Sequence, residues 1–530
     1  MTGQGRRNRV RSCGPVPMPQ AYDRTRIIAG VGRQGRAPSS SPPPPPVLLD
    51  LPLPTWPALY LASEWVIRIG ALIVVPQRRT PNAARAWLVL ILFLPWPGLL
   101  LYALIGRAYL PRRRLALQQS VQQAIRRVGP RALGADVVAQ PALPPELLPA
   151  FRLAEELSEF PVVGGNRFEL LPVYDAAIDR IIADVGTAQR FVHLSFYIFE
   201  DDATGRRMAD ALVRAAQRGV TVRVQMDAVG SRRGLKGLTP RLAAAGIEVV
   251  ALMPLRLWGP NAARLDLRNH RKIVVVDGAT GFFGSQNIVD AGANAGMINE
   301  EMLVRVTGPV VRELLAVLLG DRYLERHDLP PEIAALPPPV PAAAADAARS
   351  PAQVLASGPG YGEGTTEAVM IALMYGARSR VALTAPYVIP SAAFLAAMCS
   401  AARRGVEVDL IVDRTSNKPL VQLAQQSYYD EMLAAGVRIH RHGGSFLHAK
   451  HMSVDADIAL IGSSNLDIRS FALNAEVSVL IYDTGVVADL AAEQARYLRQ
   501  AERVTRETRS RIGFGRRTLE NLARLTDSVL

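Results

Sequence analysis

The sequence predicts an α/β protein built from two domains of similar topology and preceded by a pair of apolar helices. Three observations lead there. After residue 150 an apolar strand, an amphipathic helix and another apolar strand alternate; that pattern is written twice; and residues 56–106 hold two long apolar runs. At roughly 150 residues per domain, 530 residues make about three units, so a single small module is excluded.

Composition narrows the function classes. The net charge is +14 and the mean hydropathy +0.12, and a chain both basic and slightly apolar points to a membrane surface rather than to nucleic acid. Two cysteines, Cys13 and Cys399, are too few for a disulfide framework or a thiolate zinc site. Four of the 61 basic residues are lysine. Where arginine dominates, a lysine suits a place that needs a compact ammonium against phosphate. Lys236 and Lys418 are read as incidental; Lys272 and Lys450 fall in the motifs below.

In chain order, residues 1–55 carry eight arginines in the first 36 positions and then a proline run, the composition of a disordered basic tail. Residues 56–76 are apolar except for Glu64 and Arg68, spaced to pair on one helix face. Residues 86–105, AWLVLILFLPWPGLLLYALI, are uncharged over the length that crosses about 30 Å of hydrocarbon. Residues 56–106 are therefore expected to form two transmembrane helices, the second kinked at Pro95 and Pro97. Arginines before and after the pair place both of its ends, and the domains that follow, in the cytoplasm. Residues 107–160 read as a basic helical connector whose run 107–127 suits either an anionic membrane surface or plain solvent. Residues 161–327 form the first α/β domain, 328–352 a proline and alanine linker, and 353–530 the second domain with C-terminal helices.

The duplication is explicit. RFVHLSFYIF (190–199) leads to a helix ending in AAQRGVTVRVQMDAVGS (215–231), and VALTAPYVIP (381–390) to one ending in AARRGVEVDLIVDRTSN (401–417). Each helix closes on Arg-Gly, a C-cap signal, and feeds a β-branched strand, so a largely parallel sheet is expected. NHRKIVVVDGATGFFGSQN (269–287) and LHAKHMSVDADIALIGSSN (447–465) share His-x-Lys, four residues, Asp, six residues and Gly-Ser-x-Asn. His270, Lys272, Asp277, Ser285 and Asn287 thus correspond to His448, Lys450, Asp455, Ser463 and Asn465.

In an extended segment residues i and i+2 face one side, so each histidine and lysine are aimed at one spot. Asp277, seven residues after His270 and followed by Gly278, suits a turn that holds a loop. Gly-Ser-x-Asn at the end of the return strand offers hydroxyl, carboxamide and N–H donors to an anion. Such a set, twice over, suits transfer of a phosphodiester-bound group: one imidazole attacks phosphorus, the other protonates the departing alcohol, and the lysines and Ser/Asn sets stabilise the five-coordinate phosphorus without a metal or other cofactor. His193, His327, His440, His442 and His451 lack a doubled setting and are read as structural.

These motifs resemble the paired His-Lys-Asp signature of the phospholipase D superfamily over about 165–490, which implies two phospholipase D-like domains packed about a pseudo-two-fold axis. FLHAKHMSVDADIALIGSSNLDIRSFALNAE (446–476), APYVIPS (385–391), SGPG (357–360), the C-terminal RRTLENLARLTDSVL and the apolar pair are similar to bacterial cardiolipin synthases. The resemblance implies a multi-pass enzyme of the bacterial inner membrane that converts two phosphatidylglycerol molecules to cardiolipin and glycerol through a phosphohistidine. It also implies that His270, Lys272, Asp277, His448, Lys450 and Asp455 form the catalytic set and that Ser285, Asn287, Ser463 and Asn465 contact substrate. Glu476 matches the acidic residue that orients a motif histidine, with Glu301 its counterpart and Glu300 beside it an alternative. The expected partners are phosphatidylglycerol, other anionic phospholipids and the membrane, with no nucleic acid. A hydrolase or headgroup-exchange enzyme of the same superfamily, and a non-catalytic basic membrane or nucleic-acid binder, are the alternatives; no aspartate cluster that would hold a metal occurs in 56–106.

Overall fold

A computed structural model describes residues 55–79, 81–106, 112–133, 138–255, 267–293, 297–331, 349–361, 364–415 and 418–525. The basic tail up to residue 54 and most of the 328–352 linker lie outside the described residues.

The duplicated sequence forms two sheets of matching order. In the first domain the strands are β1 (Arg167–Leu171), β2 (Phe191–Phe196), β3 (Thr221–Asp227), β4 (Glu248–Leu252), β5 (Ile273–Val276), β6 (Thr280–Gly284), the short β7 (Asn299–Glu300) and β8 (Leu303–Thr307). The second domain has β9 (Ala352–Ser357), β10 (Arg380–Ala385), β11 (Val388–Ile389), β12 (Glu407–Asp413), β13 (Arg438–His442), β14 (Phe446–Leu447), β15 (His451–Val454), β16 (Ile458–Gly462), β17 (Leu466–Asp467), β18 (Glu476–Ile481) and β19 (Ala501–Val504). The orders are β1-β8-β6-β5-β2-β3-β4 and, read in the same sense, β9-β18-β16-β15-β10-β12-β13-β19. Each strand of the first sheet has its repeat at the same place in the second, which adds one edge strand.

The expectation of a largely parallel sheet is corrected. Only β2-β3-β4 and β10-β12-β13 run parallel, as crossover helices require, and every other pairing in the two sheets is antiparallel. The reason is local. Asp277, Gly278 and Asp455 take positive φ, so each motif strand doubles back as a hairpin and reverses the sheet.

The core of the two α/β domains has three parts among the described residues. Helices Tyr174–Thr187 and Ala203–Gln217 cover one face of the first sheet, and Thr365–Gly376 and Ala392–Arg403 cover one face of the second. The remaining faces share a single buried cluster, in which Ile273, Phe283 and Val304 of one domain pack with Ile461, Val477 and Val479 of the other. Chain is also exchanged across this seam. β14 pairs in parallel with β7, Asn269 bridges Ala475, and the buried Glu313 of helix Val310–Arg326 accepts from the backbone N–H of Val354 at 2.9 Å. Two lobes with a common core cannot slide independently, which fixes the motifs relative to each other.

The N-terminal region departs from expectation. Trp56–Arg78 is one helix, 23 residues long, in which Arg68 and Glu64 pair at 3.1 Å. It is the only described helix long and apolar enough to cross a membrane, and Trp65, Val66, Ile69, Leu72 and Ile73 lie exposed on it. Residues 86–105 are not one helix. The chain breaks at Leu94, between Pro81–Phe93 and Pro95–Ile105, because Pro95 and Pro97 cannot donate the bonds a continuous helix needs. The two pieces fold against each other, with Trp87 and Tyr102 edge to face at 5.3 Å and Gly98 against Ile91, where a Cβ would come within 2.9 Å of the Ile91 backbone. The basic connector contains helix Arg112–Leu133, whose buried Arg114 pairs with Glu325 at 2.5 Å.

Candidate active site

Both motifs converge on the seam between the domains. Each histidine lies just before its motif strand rather than within it, in a segment that leaves its own sheet to hydrogen-bond the other half. The His270 N–H donates to the carbonyl of Ala475 at 2.8 Å, and that of His448 to the carbonyl of Glu300 at 2.7 Å. Asp227 and Asp413, at the ends of the repeated strands β3 and β12, accept from the backbone N–H of the preceding residue, Asn269 at 2.9 Å and Leu447 at 2.8 Å.

The carboxylate partners are exchanged between halves. His270 Nδ1 lies 2.9 Å from Glu476 Oε2, and His448 Nδ1 lies 2.7 Å from Glu301 Oε1. A carboxylate on Nδ1 holds the proton there and leaves Nε2 as the nucleophilic nitrogen. The choice between Glu300 and Glu301 is thereby made: Glu300 instead pairs with Arg496 and accepts from Ser445 Oγ at 3.2 Å.

Gly-Ser does a different job from the one expected of it. A Cβ on Gly284 would come within 2.2 Å of the Met302 carbonyl, and one on Gly462 within 2.4 Å of the Val477 carbonyl, so only glycine admits the neighbouring strand this closely. The next residue uses that approach. The N–H of Met302 donates to Ser285 Oγ at 2.9 Å and that of Val477 to Ser463 Oγ at 3.0 Å, while Ser463 Oγ also donates to Glu476 at 2.5 Å. Ser285 and Ser463, expected to contact substrate, are fully buried and instead clamp the strands that carry the two glutamates. Asn287 accepts from the N–H of Ile198 at 3.1 Å, whereas Asn465 lines the open cleft.

Asp277 and Asp455, counted with the catalytic set by resemblance, stand at the far ends of their strands. Asp277 accepts from the backbone N–H groups of Gln189, Arg190 and Phe191 at 2.8–2.9 Å, and Asp455 from those of Arg378, Ser379 and Arg380 at 2.8–3.0 Å. At about 3.3 Å per residue of strand, they lie roughly 15 Å from the lysines. They are loop anchors, as their turn position suggests.

Lys272 and Lys450 are buried, and each Nζ donates to the carbonyl of its own motif histidine at 2.6 Å. Burial pushes their ammonium groups down to about 7 and about 8, against the pull of Glu476 and Glu301. Burial, then the charges of Lys272 and Lys450, hold His270 well below the usual imidazole range. Burial also lowers His448, opposed by Glu301. Glu476 is raised by burial to about 7. The centre is thus short of negative charge and gains most from an anion placed between the lysines.

A cleft opens onto His270. Its walls include residues that sequence reasoning missed: Tyr197, Tyr387, Arg268, Arg469 and Lys418, which was read as incidental. The tyrosines carried a signal. Tyr197 and Tyr387 stand seven residues after Arg190 and Arg380, at matching ends of β2 and β10. The Tyr197 ring meets His270 at 4.9 Å and Lys272 at 5.4 Å. Among the described residues no group of three or more His, Cys, Asp or Glu is arranged to hold a metal.

Comparison with known proteins gives a consistent picture. A family model described as "Cardiolipin synthase, PLD-like domain" matches residues 181–319 and again 370–498, and a phospholipase D-nuclease N-terminal model matches 66–107. Cardiolipin synthase A of Yersinia pseudotuberculosis serotype IB (strain PB1/+) is 32% identical over 445 residues, 82% of this chain and 90% of that protein. Cardiolipin synthase A of Serratia proteamaculans (strain 568) is 32% identical over 470 residues, 86% and 95%. The fold is shared with phosphatidylserine synthase of Haemophilus influenzae Rd KW20, with a TM-score of 0.55 at 16% identity, covering 72% of this chain and all of that one. With the doubled domain match and these relatives along most of its length, the chain belongs to the cardiolipin synthase family of phospholipase D-like proteins.

Proposed function

We propose that the protein is a membrane-associated phosphatidyltransferase that joins two phosphatidylglycerol molecules into cardiolipin and releases glycerol. The observation that carries this reading is the crossed pairing of His270 with Glu476 and His448 with Glu301, which presents two imidazoles with the proton held at Nδ1 beside two buried lysines. His270, kept neutral by burial and by both lysines, is the nucleophile. Its Nε2 attacks the phosphorus of the first lipid. The P–O bond to glycerol breaks, and His448, protonated at Nε2 once an anion sits beside it, gives its proton to the leaving oxygen. The terminal hydroxyl of the second phosphatidylglycerol then loses its proton to His448 and attacks phosphorus, and the P–N bond to His270 breaks. Lys272 and Lys450 neutralise the charge that builds on the five-coordinate phosphorus.

In this reading the exposed apolar helix Trp56–Arg78, with the folded pair 81–105, anchors the enzyme beside its lipid substrates, and the two domains act as one unit on the cytoplasmic side. The test is purified protein in detergent with phosphatidylglycerol labelled in its headgroup. One labelled glycerol per cardiolipin, with an acid-labile phosphorus adduct on His270 after rapid quenching, is expected. Phosphatidic acid as the sole product refutes the transferase reading, and an active His270→Ala or His448→Ala variant refutes the shared centre.

A further inference from the structure

A reaction that joins two phosphodiester lipids needs a place for the second phosphate, which stays intact while its glycerol hydroxyl attacks. The two phosphates of the product are separated by one three-carbon glycerol bridge, so that place must adjoin the imidazoles. The cleft lined by His270 lies next to that centre. Its walls bring together Arg268 and Tyr197 from the first domain and Tyr387, Lys418 and Arg469 from the second. Of the chain's four lysines, three stand at this centre.

The cations are placed rather than scattered. Lys418 Nζ donates to Tyr387 Oη at 3.1 Å and lies over the Tyr387 ring at 5.1 Å, which holds an otherwise flexible side chain at the exposed mouth of the cleft. Arg268 is buried two residues before His270 and meets Asp227 at 3.4 Å. One carboxylate, that of Asp467, shares the wall, and it caps helix Ile468–Ala472 by accepting from the N–H of Ser470 at 2.6 Å. Arg268, Lys418 and Arg469 are thus gathered on the walls of one cleft, beside a centre that holds two further lysines. We propose that Arg268, Lys418 and Arg469 form a second anion subsite that holds the intact phosphodiester of the acceptor phosphatidylglycerol. The proposal rests on the transferase reading and deepens it: it names what selects a lipid hydroxyl over water.

Cardiolipin and phosphatidic acid arise from one phosphohistidine, by attack of lipid or of water, so their ratio does not depend on how fast that intermediate forms. Full-length Lys418→Met and Arg469→Gln in phosphatidylglycerol–detergent micelles should each lower the ratio on the order of tenfold, as loss of a charge-assisted contact implies. Lys418→Arg should retain it. Transfer to free glycerol, measured as exchange of labelled glycerol into phosphatidylglycerol and expressed against hydrolysis, should not change, since glycerol brings no phosphate. If the ratios for lipid and glycerol fall together, or neither falls, the subsite is refuted while the transferase reading stands. If the unmodified protein yields only phosphatidic acid, that reading fails and the subsite with it.

Discussion

Replacing the two orienting glutamates separates the roles of the two histidines. Glu476 and Glu301 are both buried, and each places one carboxylate oxygen within 2.7–2.9 Å of an imidazole Nδ1 in the other domain. A glutamine has the same shape but no charge, so Glu→Gln removes the charge-assisted part of one hydrogen bond, about 1.5–3 kcal/mol, which corresponds to roughly a 10- to 150-fold loss of turnover. The losses have different origins. On the proposed mechanism, Glu476→Gln weakens the nucleophile His270, while Glu301→Gln weakens the acid His448. A phosphatidyl-p-nitrophenol substrate distinguishes them, because nitrophenolate departs without a proton. In a single-turnover burst of nitrophenol, Glu301→Gln should recover to within a few-fold of the unmodified enzyme, and Glu476→Gln should stay slow. Recovery of Glu476→Gln alone would assign the roles the other way round. Both variants within threefold of normal on phosphatidylglycerol would mean that the crossed carboxylates do not serve catalysis.

Other perturbations read other parts of the structure. Burial pushes Lys272 down to about 7 and Lys450 to about 8, so these groups lose their charge as pH rises through 7–8 and kcat/KM should fall there; Lys272→Arg should remove the lower part of that limb, leaving a fall near 8 from a lower plateau, and an unchanged limb refutes the assignment. Burial alone would raise the Asp455 carboxyl, but hydrogen bonds from Arg380, Ser379 and Arg378 hold it below its ordinary value, so its contribution is present above about pH 4 and is lost as pH falls through the lower folded value. Asp455→Asn should accordingly cost about 2–3 kcal/mol by denaturant titration at pH 7 and lose that difference in acid, with product formed per folded molecule unchanged. Arg271 is fully buried at the seam, paired with Asp321 and donating to the Glu476 carbonyl at 3.0 Å; Arg271→Met leaves Asp321 short of a cation and should cost about 3–5 kcal/mol, seen as a lower denaturation midpoint. Since lysines and buried donors supply the positive charge of the centre, dialysis against EDTA should leave cardiolipin formation unchanged, and restoration by added magnesium of activity lost to EDTA would refute that.

What was legible in the sequence, and what was not, follows from how each feature is encoded. Repetition is visible in one dimension, so the doubled β2-β3-β4 topology, the His-Lys pairs and even Tyr197 with Tyr387 can be aligned by eye. Crossing between halves is not. Nothing in a linear pattern says that Glu476 serves His270, since the two are 206 residues apart and meet only because Asn269 and Ala475 bridge across the seam. Side-chain direction is hidden for the same reason. Ser285 and Ser463 look like anion ligands until the close approach allowed by Gly284 and Gly462 shows that their hydroxyls already clamp the glutamate strands. Hydropathy shows residues 86–105 as one apolar run and the prolines only as a kink; that Pro95 and Pro97 break it into two helices at Leu94 depends on backbone donors that hydropathy does not count. Lys418 shows the converse. It belongs to no motif, so composition treats it as chance, yet it stands at the mouth of the cleft that ends at His270. In the proposed mechanism both halves supply an imidazole around one phosphorus atom, one bonding to it and the other passing the proton of the oxygen that leaves or attacks, so these residues recur in the repeat. Residues that choose the acceptor act on one side of that atom only, so the repeat cannot announce them.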